Sequence, residues 1–456
     1  MQRRTDASAS NSGVPSPLVP GADAAPLLAA ANDSPVTVST ATVLEDTSAP
    51  VSGKWIWLMV VAQFGVFVGF ITPLAISLSI RLQSLAPGHE EYLGYITGAG
   101  AAWVVLTGPF LGMLSDHTRT RIGRRKPWMI GGLIIGMVSL VVMATAANVF
   151  LLGVGWVLAQ LGWGQVLGAL QNRTADRLPE NQRGKVAGLT GFGTQIAPVL
   201  GVSVAGAFAS QSLLLFLIPG VIGAVLALLF VLFTKEPDSR RMQLPPLRFG
   251  TALRNFVFSP RQYPDFGWNW LGRFFFYFGL SLNTTFTAFF FAQRLGIGLT
   301  AVAGIIAAVS VGGIVTTSLG AIGGGFLSDR LKRRRVFVLL SGVLFAAGAV
   351  TMAFSSDLPL LIVGSLISSV GIGLFSAVDQ ALLLDVLPER ETNAGRFMAI
   401  NGFATSIPQA VAPLIAPIFL VIGASGGDKN YTILYLLAGV CTIIGGAFAL
   451  RVRSVR

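Results

Sequence analysis

Asp379 is a carboxylate that lies well inside an apolar run of this sequence rather than at its edge. Ser365, Ser368, Ser369 and Ser376 precede it at helical spacing and would share its helix face. An ionised group among apolar side chains is costly, so it usually faces a cavity or a partner charge. The chemistry that this position favours is reversible protonation. Asp379 is therefore predicted either to carry a proton during transport or to form a structural ion pair.

A second candidate group is one helix face made of aromatic and amide side chains. Trp156, Gln160, Trp163, Leu167 and Gln171 follow one another at steps of three or four residues. Aromatic rings pack on the C–H faces of sugars and amides bond hydroxyl groups, so this face suits a polyhydroxylated solute. The alternative is packing between helices, with Trp156 in the aromatic belt at a membrane surface.

Other polar groups interrupt other apolar runs, and we predict that several of them line the same site. The long side chain of Arg273 either reaches back to the nearer membrane surface or contacts substrate or Asp379. The predicted solute-binding residues are Gln63, Gln160, Trp163, Gln171, Tyr277, Asn283, Gln380 and Asn401, and the predicted proton-coupling residues are Asp379 and Arg273.

One small basic motif occurs twice in the chain. Leu-Ser-Asp ends an apolar run at Asp116 and again at Asp329, and a cluster of Arg and Lys follows each time. Residues 171–180 and 380–389 match at nearly the same separation, since both contain Gln, then Asp, then Leu-Pro-Glu. Two pairs of matching stretches, separated by nearly the same number of residues, predict an internal repeat.

The elements that must position these groups are membrane-spanning helices. The chain is 53% hydrophobic and 11% charged, whereas soluble domains carry about 25% charged residues. Apolar runs of about 20 residues predict helices, because lipid offers no partner for unpaired backbone groups. Twelve spans are predicted, at residues 55–80, 92–114, 127–147, 149–172, 186–209, 211–233, 266–292, 299–326, 336–355, 358–384, 395–423 and 430–450.

The net charge of +12 is distributed very unevenly between the two sides of these spans. Of the 32 Lys and Arg, all but four fall on the side that holds the N-terminus; Arg81, Arg294 and Lys429 fall on the other side and Arg273 within a span. This asymmetry predicts that both termini are cytoplasmic, and it argues against a nucleic-acid-binding surface.

The predicted organisation is a tail, two halves and a linker. The tail at residues 1–50 is rich in Ala, Ser and Pro and is expected to be disordered. The predicted halves are 51–233 and 265–456, joined by a cytoplasmic linker at 234–264. Because six is even, both halves enter from the same face. The fold class is thus an all-α membrane protein with twelve transmembrane helices in two parallel six-helix repeats around a central site.

Residues 55–451 resemble the major facilitator superfamily. The stretch at 112–128 is similar to that superfamily's motif between its second and third helices. Its long form, Arg-x-Gly-Arg-Arg-x-Pro, resembles the glycoside–pentoside–hexuronide cation symporters and the plant sucrose transporters. The stretches at 273–279 and 293–296 resemble the seventh helix of the bacterial members of that group. Residues 92–114 lack the acids that bind the cation in relatives of the melibiose permease type, so sodium coupling of that kind is not expected.

The resemblance implies that Asp116 and Asp329 pair with loop arginines such as Arg124 and Arg334, and so form cytoplasmic gates that close and open in turn. The alternative is that the basic clusters only set the topology. The resemblance also implies that helices 1, 4, 7 and 10 line the central cavity. The implied gating residues are Asp116, Arg124, Asp329, Arg334, Asp176, Arg183, Asp385 and Arg396.

The function predicted from these features is secondary active transport of a small polar solute, with a sugar or glycoside as first candidate, coupled to protons by alternating access. The alternative is an efflux antiporter for drugs or metabolites, because the glycines around Pro198 partly match the motif of such proteins. An enzyme is not expected, since neither a large soluble domain nor a catalytic cluster is present.

The expected partners follow from the same features. They are a small-molecule substrate, protons and the lipid bilayer, without nucleic acid. We expect a monomer with several spans in the cell membrane. No cofactor or metal is expected, because the sequence has a single cysteine, Cys441, and no phosphate-binding glycine loop.

Overall fold

A computed structural model describes residues 50–240, 258–389, 394–422 and 429–454 of the chain. The predicted tail, apart from residue 50, and residues 241–257 of the predicted linker lie outside the described residues. The helices are α1 Gly53–Thr72, α2 Leu78–Leu85, α3 Tyr92–Asp116, α4 Lys126–Thr145, α5 Val149–Arg177, α6 Glu180–Ala207, α7 Ser212–Phe233, α8 Pro264–Thr285, α9 Thr287–Leu295, α10 Leu299–Leu331, α11 Arg334–Ala353, α12 Leu358–Val386, α13 Ala394–Val421 and α14 Tyr431–Ala449.

Most of these helices are long and apolar enough to cross a membrane. Within the described residues eleven pass on their own, with α1 and α2 counted as one helix, and the bent pair α8–α9 supplies a twelfth. The prediction of an all-helical membrane protein with twelve spans is therefore confirmed when the bent pair is counted as one span.

The seventh span is broken, so the prediction of one continuous helix over 266–292 is wrong in that respect. α8 and α9 meet at 50° on either side of Phe286. The hydroxyls of Thr284, Thr285 and Thr287 each bond the carbonyl four residues earlier, at 3.0, 2.7 and 3.0 Å. Such bonds compete with the helical ladder and bend helices.

The first span also changes geometry near its middle and extends beyond its predicted end at residue 80. A π-helical segment, Pro73–Ser77, separates α1 from α2. Proline has no N–H for the helical ladder. Just before it, the Thr72 hydroxyl donates to the Val68 carbonyl at 2.6 Å. The first and seventh spans thus both carry a break, for different local reasons.

Helix neighbours recur in the same pattern in the first and last six spans. α4 packs on α5 as α11 packs on α12, and α3 packs on α5 as α10 packs on α12. In the same way α7 contacts α1 and α4, while α14 contacts α8 and α11. We refer to α1–α7 as the first half and to α8–α14 as the second half.

The main contacts between the halves are α3 with α13 and α6 with α10. A Cβ added at Gly94 would stand 2.3 Å from the Pro413 carbonyl oxygen, and one at Gly98 would stand 2.8 Å from that of Ala410. At Gly206 an added Cβ would lie 3.1 Å from a side chain of α10. Glycine therefore lets the backbones approach closely here, as in other membrane helix pairs.

These contacts lie toward one end of the bundle. We call that end the opposite face; it holds the loops at 86–91 and 429–430. The other end, the basic face, holds the loops at 117–125 and 332–333. Nearer the basic face, a Cβ at Gly112, Gly188 or Gly402 would meet nothing within 4 Å. The halves are thus packed together near the opposite face and leave open space around these glycines.

Candidate functional site

A cavity of about 470 Å³ lies between the halves, and its two walls differ in chemistry. The first-half wall is largely apolar, with Gln160 and Thr97 as its polar members. Two of its aromatic rings, Phe70 and Trp156, are parallel, with centroids 5.8 Å apart and planes inclined by 7°. The apolar members of this wall are Phe70, Ile71, Leu74, Ala75, Ala101 and Trp156.

The second-half wall is dominated by hydroxyl groups. Several of them fall at helical spacing on one face of α8, and the last follows the bend at the start of α9. Gln409 of α13 adds an amide to this wall. Among the described residues that line the cavity, none carries a formal charge. The hydroxyl-bearing residues are Tyr277, Ser281, Thr284, Thr285 and Thr287.

A buried ion pair lies next to this hydroxyl wall. The Arg273 Nη1 atom donates to Asp379 Oδ2 at 2.7 Å, and Asp379 is only 3% exposed. The Nε atom of Arg273 donates to the Thr405 hydroxyl at 3.2 Å. The Arg273 guanidinium also stands 5.5 Å from the ring centroid of Tyr277, a cavity residue. Of the alternatives for Arg273, the structure therefore shows contact with Asp379 in place of a side chain that reaches the membrane surface.

The other predicted solute-binding residues fall into two groups. Gln160 and Tyr277 line the cavity. Trp163 is buried between α1 and α4, with its ring against Gly69 and Gly136. The residues that the structure does not bring to the cavity lining are Gln63, Trp163, Gln171, Asn283, Gln380 and Asn401. Sequence analysis missed the threonines around the bend, although a cluster of three Thr within four residues inside an apolar run was a readable signal.

An arginine network surrounds the first Leu-Ser-Asp motif at the basic face. The Asp116 carboxylate contacts Arg125 at 2.6 Å, so the expected partner Arg124 is wrong for this acid. Arg124 instead contacts Asp176 at 2.7 Å, and Arg125 reaches the same carboxylate at 3.1 Å. Arg125 also donates to the Ser115 hydroxyl at 2.9 Å. Arg125 has this role because it directly precedes α4, while Asp116 ends α3 and Asp176 lies in the last turn of α5.

The second motif has a smaller network. Arg334 contacts Asp329 at 2.8 Å and also bonds Asp385, so one arginine joins α10, α11 and α12. This is the partner that we expected for Asp329. Arg183 donates to the Leu178 carbonyl. The Arg396 guanidinium lies 5.3 Å from the centroid of the neighbouring Phe397 ring.

The Glu236 carboxylate, which the sequence did not indicate as functional, caps the first turn of α4. The Glu236 carboxylate accepts the backbone N–H groups of Arg124, Arg125 and Lys126 at 3.0, 2.9 and 3.0 Å. Gly123 has a φ of +95°, and a Cβ there would stand 2.2 Å from the Glu236 carboxyl carbon. The readable signal for such a cap was that Arg125, the residue before α4, has no side-chain acceptor for the first N–H groups of the helix. Another group therefore had to supply one.

An ion pair joins the two halves at the opposite face. Lys429 contacts Glu91 at 2.8 Å, and His89 bonds the same carboxylate at 2.9 Å. Burial alone would raise the pKa of Glu91, but the hydrogen bonds from Lys429 and His89 outweigh it. The pKa of Glu91 therefore lies below its ordinary value. The pair is located where α3 begins and α14 is about to begin.

Arg81 and Arg294 form matching clamps at this face. Arg81 donates to the Ala146 carbonyl at 2.7 Å and to the Ser212 hydroxyl at 3.1 Å. Arg294 donates to the Ala353 carbonyl and to the Thr432 hydroxyl, both at 2.5 Å. Each arginine thereby ties the segment beyond a helix break, α2 or α9, to the end of one helix and the start of another. Sequence analysis had placed both only as charges on the outer side.

No cluster of three or more His, Cys, Asp or Glu side chains suited to a metal ion occurs among the described residues.

Comparisons with known proteins agree with this architecture. The chain is 29% identical over 121 residues to the arabinose-proton symporter of Bacillus subtilis, with 26% of this chain and 21% of that protein covered. It is 34% identical over 88 residues to the general alpha-glucoside permease of Schizosaccharomyces pombe, with 19% and 14% covered. The chain thus matches about a fifth or less of the length of these curated relatives.

Among solved structures, that of the nucleoside transporter NupG is similar in fold. The TM-score is 0.69 at 13% identity, with 88% of this chain and all of that chain covered. Residues 58–324 and 314–456 match the family model of the Major Facilitator Superfamily. The chain therefore belongs to the Major Facilitator Superfamily, and the proteins that it resembles are transporters rather than enzymes.

Proposed function

We propose that this chain is a secondary transporter that moves a small polar solute, first of all a sugar or glycoside, together with protons by alternating access. The observation that carries the proposal is the buried Arg273–Asp379 ion pair beside a cavity whose lining residues are uncharged. Solute and proton would then use adjacent sites within one protein, as coupled transport requires.

The basic face is cytoplasmic in this proposal, because Lys and Arg concentrate on the inner side of membrane proteins. The membrane is the cell membrane, and the two six-helix halves are parallel repeats that rock around the cavity. Contacts at Gly94 and Gly98 and the Glu91–Lys429 pair close the outer side, while space remains around Gly112 and Gly402 on the inner side. The structure then corresponds to an inward-facing state.

Coupling follows from the chemistry of the ion pair. A carboxylate surrounded by apolar helices is stabilised as an anion only while Arg273 stays in contact with it. A proton on Asp379 removes that attraction and frees the guanidinium, which lies beside Thr405 and the Tyr277 ring. Because Tyr277 lines the cavity, the protonation state of Asp379 alters the surface that the solute meets.

The test is uptake of radiolabelled sugars into vesicles that contain the purified full-length chain, with an imposed pH gradient. With one proton per solute, a gradient of about one pH unit supports about tenfold accumulation, because each pH unit is worth about 1.4 kcal/mol. Asp379→Asn should abolish this accumulation, since the amide cannot carry the proton, but it should retain exchange of solute across the membrane.

The matched control is Asp357→Asn. Asp357 caps the start of the same helix, α12, by accepting the Leu360 N–H at 2.9 Å, and asparagine caps as well. The Asp357→Asn variant should therefore accumulate solute like the wild type. Full accumulation by Asp379→Asn would exclude Asp379 from coupling. No uptake of any sugar, together with outward movement of a lipophilic cation, would reject sugar import and favour the efflux antiporter.

A further inference from the structure

We infer that the transported solute is uncharged and has two unlike faces: a ring rich in hydroxyl donors, and a planar aromatic or similarly apolar group attached to it. This inference rests on the proposed function and defines its substrate class. Aryl glycosides and nucleosides share this chemistry. The inference comes from the contrast between the two cavity walls, taken with the direction of the hydrogen bonds that their side chains already make.

Three threonines of the hydroxyl wall offer a solute acceptors rather than donors. The hydroxyls of Thr284, Thr285 and Thr287 each donate to a backbone carbonyl of their own helix. Thr97 on the first-half wall does the same toward Leu93, at 2.8 Å. A hydroxyl has one hydrogen and two lone pairs, so these four groups present lone pairs to a solute. A solute with several O–H donors satisfies them, whereas a carboxylate or phosphate, which brings only acceptors, does not.

The charges nearest to the hydroxyl wall point to the same conclusion. Arg273 and Asp379 pair with each other at 2.7 Å, so together they present no net charge to the cavity. A charged solute would lose its hydration without gaining a counterion, which is costly in a buried site. While this ion pair is intact, the cavity is therefore matched to a neutral solute.

Within the apolar wall, the Phe70 ring is the aromatic surface that a solute can reach, and the buried Trp156 indole lies behind it. Trp156 is 1% exposed, and a Cβ at Gly100 would stand 2.6 Å from its ring, so glycine is what lets the indole lie against α3. Phe70 stacks parallel to that indole. Aromatic surfaces gain most from a partner that is itself planar or apolar. The volume of about 470 Å³ also lies within the range of about 300–1,000 Å³ typical of small-molecule sites.

The experiment is isothermal titration calorimetry on the purified full-length chain with four probes. These are methyl glucoside, 4-nitrophenyl glucoside, 4-nitrophenyl glucuronide and uridine. The nitrophenyl glucoside, uridine or both should bind about tenfold more tightly than methyl glucoside, as expected for one aromatic contact. The glucuronide should bind at least about tenfold more weakly than the nitrophenyl glucoside, because its carboxylate loses hydration and finds no cationic partner while Arg273 stays paired with Asp379. If the nitrophenyl glucoside gains affinity, the substrate class is the glycosides; if uridine does, it is the nucleosides.

Two variants locate the aromatic contact. Phe70→Ala should remove the advantage of the aryl probe and leave methyl glucoside within about threefold of its wild-type affinity. Phe67→Ala, the same change one turn earlier and outside the cavity lining, should change neither. Phe70→Leu keeps most of the volume without the ring, and it should give the same loss if the alanine variant does not fold.

Four results would overturn the inference. Equal affinity for methyl and aryl glucosides would remove the role of the apolar wall, and tight glucuronide binding would refute neutrality. If labelled sugars accumulate in vesicles without any preference for an aryl group, the inference fails and the proposed function stands. If no probe binds and no sugar accumulates, both fail.

Discussion

At the residue scale, Arg125 connects several helix ends, and no sequence motif indicated this role. It is 3% exposed and bonds Asp116, Ser115 and Asp176 through its guanidinium, while its backbone N–H donates to Glu236. The end of α3, the start of α4, the end of α5 and the segment after α7 therefore meet at one residue. A planar guanidinium with five N–H donors can satisfy these acceptors together, whereas an ammonium cannot.

We predict that Arg125→Lys destabilises the protein although the charge is retained. Loss of two of the three side-chain bonds should cost about 1–3 kcal/mol, because hydrogen bonds to charged groups are the strong ones. Arg124→Lys is the control, since Arg124 is more exposed and its ion pair is with Asp176 alone. Thermal unfolding in detergent measures both variants. Equal losses would contradict a special role for Arg125.

At the element scale, the first and seventh spans are each divided into a helix nearer the basic face and a shorter segment nearer the opposite face. The divisions are at Pro73–Ser77 and at Phe286, and the shorter segments are α2 and α9. Arg81 and Arg294 hold these segments to the neighbouring helices of the same half. A break followed by a clamp allows the part of a span nearer the basic face to move while the part nearer the opposite face remains with its half.

We predict that each clamp acts locally. Arg294→Met should increase amide hydrogen exchange in α9 but not in α2, and Arg81→Met should do the reverse, because each removes the bonds of one segment only. Each change should lower stability by about 1–3 kcal/mol, since a helix-terminal carbonyl loses its donor. Hydrogen-exchange mass spectrometry of the purified variants measures both. Increased exchange in both segments of either variant would contradict separate clamps.

At the scale of the whole molecule, the halves are held together near the opposite face by close backbone packing and by the Glu91–Lys429 pair. The pKa of Glu91 lies below its ordinary value because its hydrogen bonds with Lys429 and His89 outweigh the effect of burial. The stabilisation from this carboxylate is therefore present above its ordinary pKa. It is lost as the pH falls through the lowered value.

We predict that acid opens the opposite face and that Glu91→Gln opens it at neutral pH. Spin labels at exposed positions 83 and 298, one in each half, report the distance between the halves at the opposite face by double electron–electron resonance. The wild type should shift toward longer distances as the pH falls from 7 to below about 4, near the ordinary pKa of a glutamate. Glu91→Gln should show longer distances at pH 7 and a smaller further change. Identical distances in the two proteins at pH 7 would contradict this gate.

Sequence patterns predicted what depends on local spacing. Apolar length identified the spans, and the motif at Asp329 correctly indicated Arg334, five residues along the chain, as partner. Contacts set by tertiary packing were less accessible. Asp116 pairs with Arg125 rather than with Arg124, since the direction in which each arginine points depends on where α5 places Asp176.

The pairing of Arg273 with Asp379, 106 residues apart, was one of several open alternatives. The Glu91–Lys429 pair joins the two halves and has no local signature at all. The bend at Phe286 was missed because its cause is the hydrogen bonding of threonine hydroxyls, while apolar periodicity continues across it.

The glycines at the contact between the halves also have an evolutionary consequence. A side chain at Gly94 or Gly98 would meet a backbone carbonyl of α13, which cannot be moved aside as a flexible side chain can. Natural selection for closure at this face should therefore keep both positions small in every descendant that closes in the same way. Gly112 and Gly402 meet nothing in this state, so they are free to diverge unless the alternate state brings them together. The pattern of substitutions in descendants thus records which contacts each state of the cycle uses.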